Sequence, residues 1–254
     1  YGKRYNLFNL KPAHACNDYD ELIDAYKELS LPPMKIAVTG TGRVAKGAYE
    51  LLEKLNLRMV SIQNYLTKDF EEPVYVVLNT SQLYESKNGK PFDRNEFHHH
   101  PENYTSAFLP FTKVTNIFIN AIFWDPHAPV FFTKEDMRRH DFKIKVIADV
   151  TCDVDGSVPA TIRDTTIESP VFGYNPSTEK EDTPYQPQVI DVMAVSNLPN
   201  ELPREASSEF GDKLIEYVVE ELLLEQSEII ERATIASNGQ LRQRYQYLQD
   251  YVNG

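Results

Sequence analysis

The chain has 254 residues, 41% of them hydrophobic and 11% aromatic, enough for one large core or two small ones. Its formal charge of -12 speaks against nucleic acid as a partner, because that affinity rests on Lys and Arg neutralising phosphates. No apolar run approaches the roughly 20 residues that cross a bilayer, and no basic stretch followed by an apolar core opens the chain, so membranes are also set aside. Small ligands or other proteins remain. Cys16 and Cys152 are too few for a disulfide framework and read as free thiols of a reducing compartment, the cytoplasm.

Residues 1–33 are polar and aromatic, with helical periodicity over Tyr19 to Leu29 and a break at Pro32 and Pro33, and read as a connecting arm. The chain opens at Tyr1 rather than Met, and its first 30 residues do not resemble the natural opening of a fold, so it reads as a fragment. Lys35 to Thr39 is a β-rich run, followed by the turn Gly40-Thr41-Gly42 and a helix carrying Val44, Ala48, Leu51, Leu52 and Leu55 on one face. Further strands are predicted over Arg58 to Ile62, Val74 to Leu78, Val114 to Phe123, Ile144 to Val150 and Val189 to Val195. Several are continuous apolar runs, the pattern of a parallel sheet covered on both faces. Thr80 to Tyr104 is polar and is predicted to be a surface excursion. Thr133 can cap a short helix through Met137. The last quarter reads as helical, with a stripe of Leu214, Ile215, Val218, Val219, Leu222 and Leu223 on a core, a break at Asn238-Gly239, and a final helix with Leu241, Tyr245, Leu248 and Val252 on one face.

The strongest local signal is Gly40-Thr41-Gly42-Arg43-Val44-Ala45, a G-x-G-x-x-A placed after a strand and at a helix start. The first glycine permits a tight turn, the second lets a diphosphate reach the backbone, and the small third residue lets helix and strand pack closely. The fingerprint expects an acid about 20 positions on to hold the ribose of NAD. That region reads Val60-Ser61-Ile62-Gln63-Asn64, so Gln63 and Asn64 are the candidates there. The missing carboxylate leaves NAD and NADP both open, and Arg58 sits at the strand's beginning rather than its end.

Asp149 to Ser157 ends an apolar strand in acids, a thiol, a hydroxyl and a glycine, at the sheet edge where open α/β folds bind ligands. The alternative is a solvated turn whose aspartates cap amides. Cys152 has no positive neighbour to activate it as a nucleophile. His98-His99-His100, read as extended, alternate in direction and do not converge on one metal ion; no metal site is predicted. His127 follows a predicted strand at the ligand edge and reads as a surface histidine.

Ala148-Asp149-Val150-Thr151-Cys152-Asp153-Val154-Asp155-Gly156-Ser157, Thr165 to Pro170, Asn197 to Ser207 with Phe210-Gly211-Asp212, and Ala233 to Gly239 with Tyr245 to Leu248 resemble the lysine-forming saccharopine dehydrogenases and the lysine-ketoglutarate reductase half of the bifunctional lysine-degrading enzyme, relatives of alanine dehydrogenase. The resemblance implies an α/β fold with a Rossmann-like doubly wound parallel sheet over residues 34–204, and terminal helices, residues 205–254, that belong to a second, substrate domain. It implies an NAD- or NADP-dependent oxidoreductase acting on the CH–NH group of an amino acid or opine, with an amino acid and a 2-oxo acid as small-molecule substrates. Gly40, Thr41, Gly42, Arg43 and Val44 would take the pyrophosphate, Ala121 and Ile122 would lie near the nicotinamide, and Asp153 would stand beside cofactor and substrate as the catalytic-loop aspartate. The family's acid-base lysine and histidine belong to a domain that would precede Tyr1, so this stretch alone is expected to bind cofactor without turnover. A non-catalytic nucleotide-binding or scaffold module is the alternative. The sequence does not fix the oligomer, a homodimer being one option.

Overall fold

The computed structural model describes residues 1–27 and 29–254, which divide into two compact units, Tyr1–Leu202 and Pro203–Gly254. The arm of residues 1–33 is part of the first unit. The helix predicted over Tyr19 to Leu29 is Tyr19–Lys27, with Glu28 outside the described residues.

The first unit is built on one sheet. Its strands are β1 Lys35–Thr39, β2 Arg58–Met59, β3 Val74–Leu78, β4 Ile117–Asn120, β5 Val146–Asp149, β6 Val171–Asn175, β7 Lys180–Asp182 and β8 Ile190–Met193. Their order across the sheet is β2-β3-β1-β4-β5-β8-β6-β7. The pairings from β2 to β8 are parallel, while β8 with β6 and β6 with β7 are antiparallel. The fold is therefore α/β and Rossmann-like, as expected, with a mixed rather than wholly parallel sheet.

Side chains of successive strand residues point to opposite faces. Ile36 and Val38 accordingly join one buried cluster with Ala45 and Leu52 of the helix Arg43–Lys54, while Ala37 joins the other. That second cluster is rich in aromatics: Phe108, Phe118, Phe131 and Phe132 pack with ring centroids 4.8 to 6.2 Å apart. Both faces of the central strands are covered, which is why their sequences are continuously apolar.

The excursion at Thr80 to Tyr104 is not all surface. It holds the helices Thr80–Leu83 and Arg94–His99 and one strand of an antiparallel pair, Tyr84–Ser86 with Tyr104–Ser106, and it buries Leu83, Tyr84 and Tyr104 in the aromatic cluster. Thr133 caps Lys134–Met137 as predicted, accepting from the Asp136 N–H while Asp136 accepts from its own.

The arm is fastened by Arg4, in the short helix Gly2–Tyr5. Its guanidinium meets the Asp191 carboxylate of β8 at 2.9 Å, with both side chains buried, and donates to the carbonyls of Gln186 and Val189.

In the second unit the helix Pro203–Leu214 continues through a wider turn at Ile215–Val219 into Glu220–Leu222. Within its own unit the apolar stripe is not laid on a core, Leu222 and Leu223 being 61% and 83% exposed. Asn238 and Gly239, both left-handed, turn the chain between the short strands Ala236–Ser237 and Gln240–Leu241. Gln243–Leu248 and Gln249–Asn253 replace the predicted single last helix. Among the described residues no helix is long and apolar enough to cross a membrane.

Candidate functional site

The glycine turn sits at the carboxyl end of β1. Gly40 has φ +101°, a conformation that L side chains rarely adopt, and its N–H donates to the Leu78 carbonyl at 2.8 Å. A Cβ there would stand 2.6 Å from the Ala121 carbonyl oxygen. Ala121 returns the contact by donating its N–H to the Thr39 carbonyl, so the end of β4 braces the turn. Gly40→Ala is expected to lower the unfolding free energy by about 1–3 kcal/mol through strain and overpacking, read from urea melts.

Gly42 is different. It is the N-cap of Arg43–Lys54, in extended backbone with no capping side chain, and a Cβ there would meet nothing within 4 Å. The first N–H groups of a helix lack intrahelical acceptors, and their dipole favours negative charge. Here they are flanked by exposed Thr41, Gly42, Arg43 and Val44, with no acidic residue in the first turn. Ala45, by contrast, is fully buried. The three small positions thus supply a tight bend, an open approach and close packing.

Beside the turn, Thr39, Asn120 and Asp149 are register neighbours across β1, β4 and β5. Thr39 Oγ1 donates to Asn120 Oδ1 at 2.9 Å, and Asn120 Nδ2 donates to Asp149 Oδ1 at 2.8 Å and to Ser157 Oγ at 2.9 Å. Asp149 also accepts from Thr161 Oγ1 and from the Cys152 N–H. Burial pushes its carboxyl above the ordinary aspartate range, against those three hydrogen bonds, which pull it down.

The loop after β5 faces the loop after β4 across a cavity of about 670 Å³, lined by Ile122, Phe123, Trp124, Pro126, Thr151, Asp153, Val154 and Asp155. Thr151 Oγ1 donates to the Ile122 carbonyl, tying the two loops. Ile122 and exposed Asp153 are therefore brought together, whereas Ala121 is buried behind the glycine turn. The Cys152 thiol is pushed up by burial and by Asp149 and Asp153, which makes it a poor nucleophile.

Gln63 and Asn64 lie just after β2, at the edge of the sheet. They fall in the helix Ile62–Thr67, capped by Ser61, behind the edge strand β2, which ends at Met59. The strand beside β1 is β3, so the residues that follow it are Asn79, Thr80 and Ser81, with Ser81 Oγ donating to Asn79 Oδ1 at 2.7 Å. The greater length and apolarity of Val74 to Leu78 was the available signal. His98 and His99 end a helix rather than an extended segment, with His100 as its cap. His127 is exposed and pairs with Asp125. Among the described residues no group of three His, Cys, Asp or Glu is placed to hold a metal ion.

A glycine bend between β1 and its helix, on a largely parallel sheet with a cavity at the carboxyl edge, defines the chain as a Rossmann-like α/β protein. No family model matches it. It is 29% identical over 255 aligned positions to the alpha-aminoadipic semialdehyde synthase of Arabidopsis thaliana, covering 90% of this chain and 24% of that protein. The mitochondrial alpha-aminoadipic semialdehyde synthase of Mus musculus is 29% identical over 251 positions, 87% of this chain and 27% of the relative. The saccharopine dehydrogenase (NAD+, L-lysine-forming) of Schizosaccharomyces pombe is 32% identical over 135 positions, 51% of this chain and 34% of the relative. The chain is similar to these semialdehyde synthases and saccharopine dehydrogenases, the resemblance its motifs suggested, and spans about a quarter of the length of the semialdehyde synthases.

Proposed function

We propose that the chain is the coenzyme-binding part of a nicotinamide-dependent oxidoreductase acting on the CH–NH group of an amino acid or opine, of the saccharopine type. The observation that carries this reading is the open N-cap at Gly42, where backbone N–H groups and a helix dipole face free space at the carboxyl edge of the sheet. A diphosphate would be held by the backbone of Gly40 to Val44. The ribose on the adenosine side falls to Asn79, Thr80 and Ser81, in place of Gln63 and Asn64, because β3 is the neighbour of β1. No carboxylate stands at those three positions, so NAD and NADP are both accommodated. The nicotinamide end would lie toward Ile122 and Asp153, with Ala121 bracing the bend from behind.

When bound, the coenzyme supplies a hydride acceptor or donor. The contribution of this chain is to orient it: the loops at Ile122 to Pro126 and Thr151 to Asp155 form the walls of the cavity, and Asp153 places a carboxylate at its rim, where a substrate amine would find a partner. An amino acid or its adduct with a 2-oxo acid is the matching substrate class, consistent with the relatives named as lysine-forming. The free thiols Cys16 and Cys152 fit a reducing compartment such as the cytoplasm.

Titration with NADH and with NADPH, followed by coenzyme fluorescence and by thermal shift, tests the reading. Saturable binding of at least one, with a rise in Tm as ligand is added, is expected. Absence of a response to both coenzymes at millimolar concentration would sink it.

A further inference from the structure

We infer that Asp149 is a positioning residue which holds the Asp153 loop in place through Cys152 and Thr161, so that the grip on the far end of a bound dinucleotide depends on it while the grip at the glycine bend does not. The inference rests on the coenzyme reading above and deepens it.

The Asp149 side chain stands at the last position of β5 and is only 1% exposed. Leaving water is costly for a carboxylate, and an apolar residue at such a sheet position would generally be at least as stable. Here three donors converge on it: Asn120 Nδ2 at 2.8 Å, the Cys152 N–H at 3.2 Å and Thr161 Oγ1 at 2.6 Å. On one side the chain of bonds runs through Asn120 to Thr39, the residue before Gly40. On the other, Cys152 and Thr161 bracket the loop that carries Asp153.

That loop is bent around the carboxylate. Cys152 and Asp155 are both left-handed, at φ 50° and 53°, and the Asp155 N–H donates to the Thr161 carbonyl at 3.1 Å. Gly156 is packed so tightly that a Cβ would meet Asp153 at 2.6 Å. Two left-handed non-glycine residues persist only where surrounding bonds over-determine them, and Asp149 supplies one such bond, to Cys152 itself. Removing its acceptors should loosen the Asp153 side of the site while leaving the Gly42 side intact, because the bend is independently braced by Leu78 and Ala121.

The test compares two ligands on one variant. ADP reaches only the glycine bend; the reduced coenzyme that binds the wild-type protein more tightly reaches the Asp153 loop as well. In calorimetric titrations, Asp149→Asn is expected to weaken coenzyme about tenfold and to leave ADP within about twofold, the loss corresponding to roughly one charge-assisted hydrogen bond. Equal weakening of both ligands would make Asp149 a purely structural residue, and unchanged coenzyme affinity would make it idle; either overturns the inference. Thr161→Val keeps the shape and removes one donor, so it gives the same split in smaller degree, with Thr161→Ser restoring the wild-type ratio. Should Asp149→Asn fail to fold, a soluble Thr161→Val with the wild-type ratio overturns the inference by itself. Wild-type protein that binds neither ligand overturns the coenzyme reading and this one with it, whereas wild-type binding without the split overturns this one alone.

Discussion

Gly42→Asp is expected to abolish coenzyme binding, by a factor of about 100 or more, without lowering the Tm. The two effects are separable because of where Gly42 sits. It is the N-cap of Arg43–Lys54 in extended backbone that any residue adopts, and a Cβ there meets nothing within 4 Å. Aspartate is among the preferred N-cap residues, so the helix should be stabilised by a few tenths of a kcal/mol relative to glycine. Its carboxylate would at the same time bond the free N–H groups and place a negative charge where the diphosphate must approach. Calorimetric titration with NADH and NADPH, together with a melting curve, reads both quantities. Wild-type affinity in a folded Gly42→Asp protein would mean that the bend is not the phosphate site.

The largest effect on stability is expected from Arg4→Ala. The Arg4–Asp191 pair is buried on both sides, at 4% and 2% side-chain exposure, unlike an exposed ion pair, which contributes about 0–1 kcal/mol. Truncating Arg4 leaves the Asp191 carboxylate buried in the sheet with the Tyr185 N–H still donating to it but no cation from Arg4 beside it. It also removes the donor from the Gln186 and Val189 carbonyls. A loss of about 3–5 kcal/mol in unfolding free energy is expected from urea titration. The double variant Arg4→Ala, Asp191→Leu should lose less than the sum of its single changes, because no buried charge is then left uncompensated. A loss below about 1 kcal/mol for Arg4→Ala would show that the arm is not fastened in this way.

What was legible in the sequence was local. The bend at Gly40 to Ala45 combines a β-rich run, two glycines and a helical stripe within 21 residues, Lys35 to Leu55, and the structure has all three elements in place. The Thr133 cap was visible for the same reason, though not the Asp136 carboxylate that completes it. Strand order was not, because it depends on which distant segments pair. Arg58 to Ile62 read as the strand that follows the first helix, but in the sheet β3, not β2, lies beside β1. β6 was missed because Gly173 interrupts a run of five residues; the structure shows that a Cβ there would sit 2.8 Å from the Thr183 carbonyl oxygen. The aromatics between Thr80 and Tyr104 are spaced irregularly among polar residues, which hid their burial. The Asp149 network was out of reach for a further reason: Thr39, Asn120 and Asp149 become neighbours only through parallel register, and Thr161 reaches Asp149 only once the loop after β5 has folded back.

The two margins of the sheet share a property that bears on self-association. One is closed by β2, only two residues long, and the other by β7, the charged triplet Lys180-Glu181-Asp182. Short and charged rims offer few free amides to an incoming chain and repel a flat apolar one. Copies of this protein that meet in solution are therefore expected to join through side-chain surfaces and not by strand addition at β2 or β7.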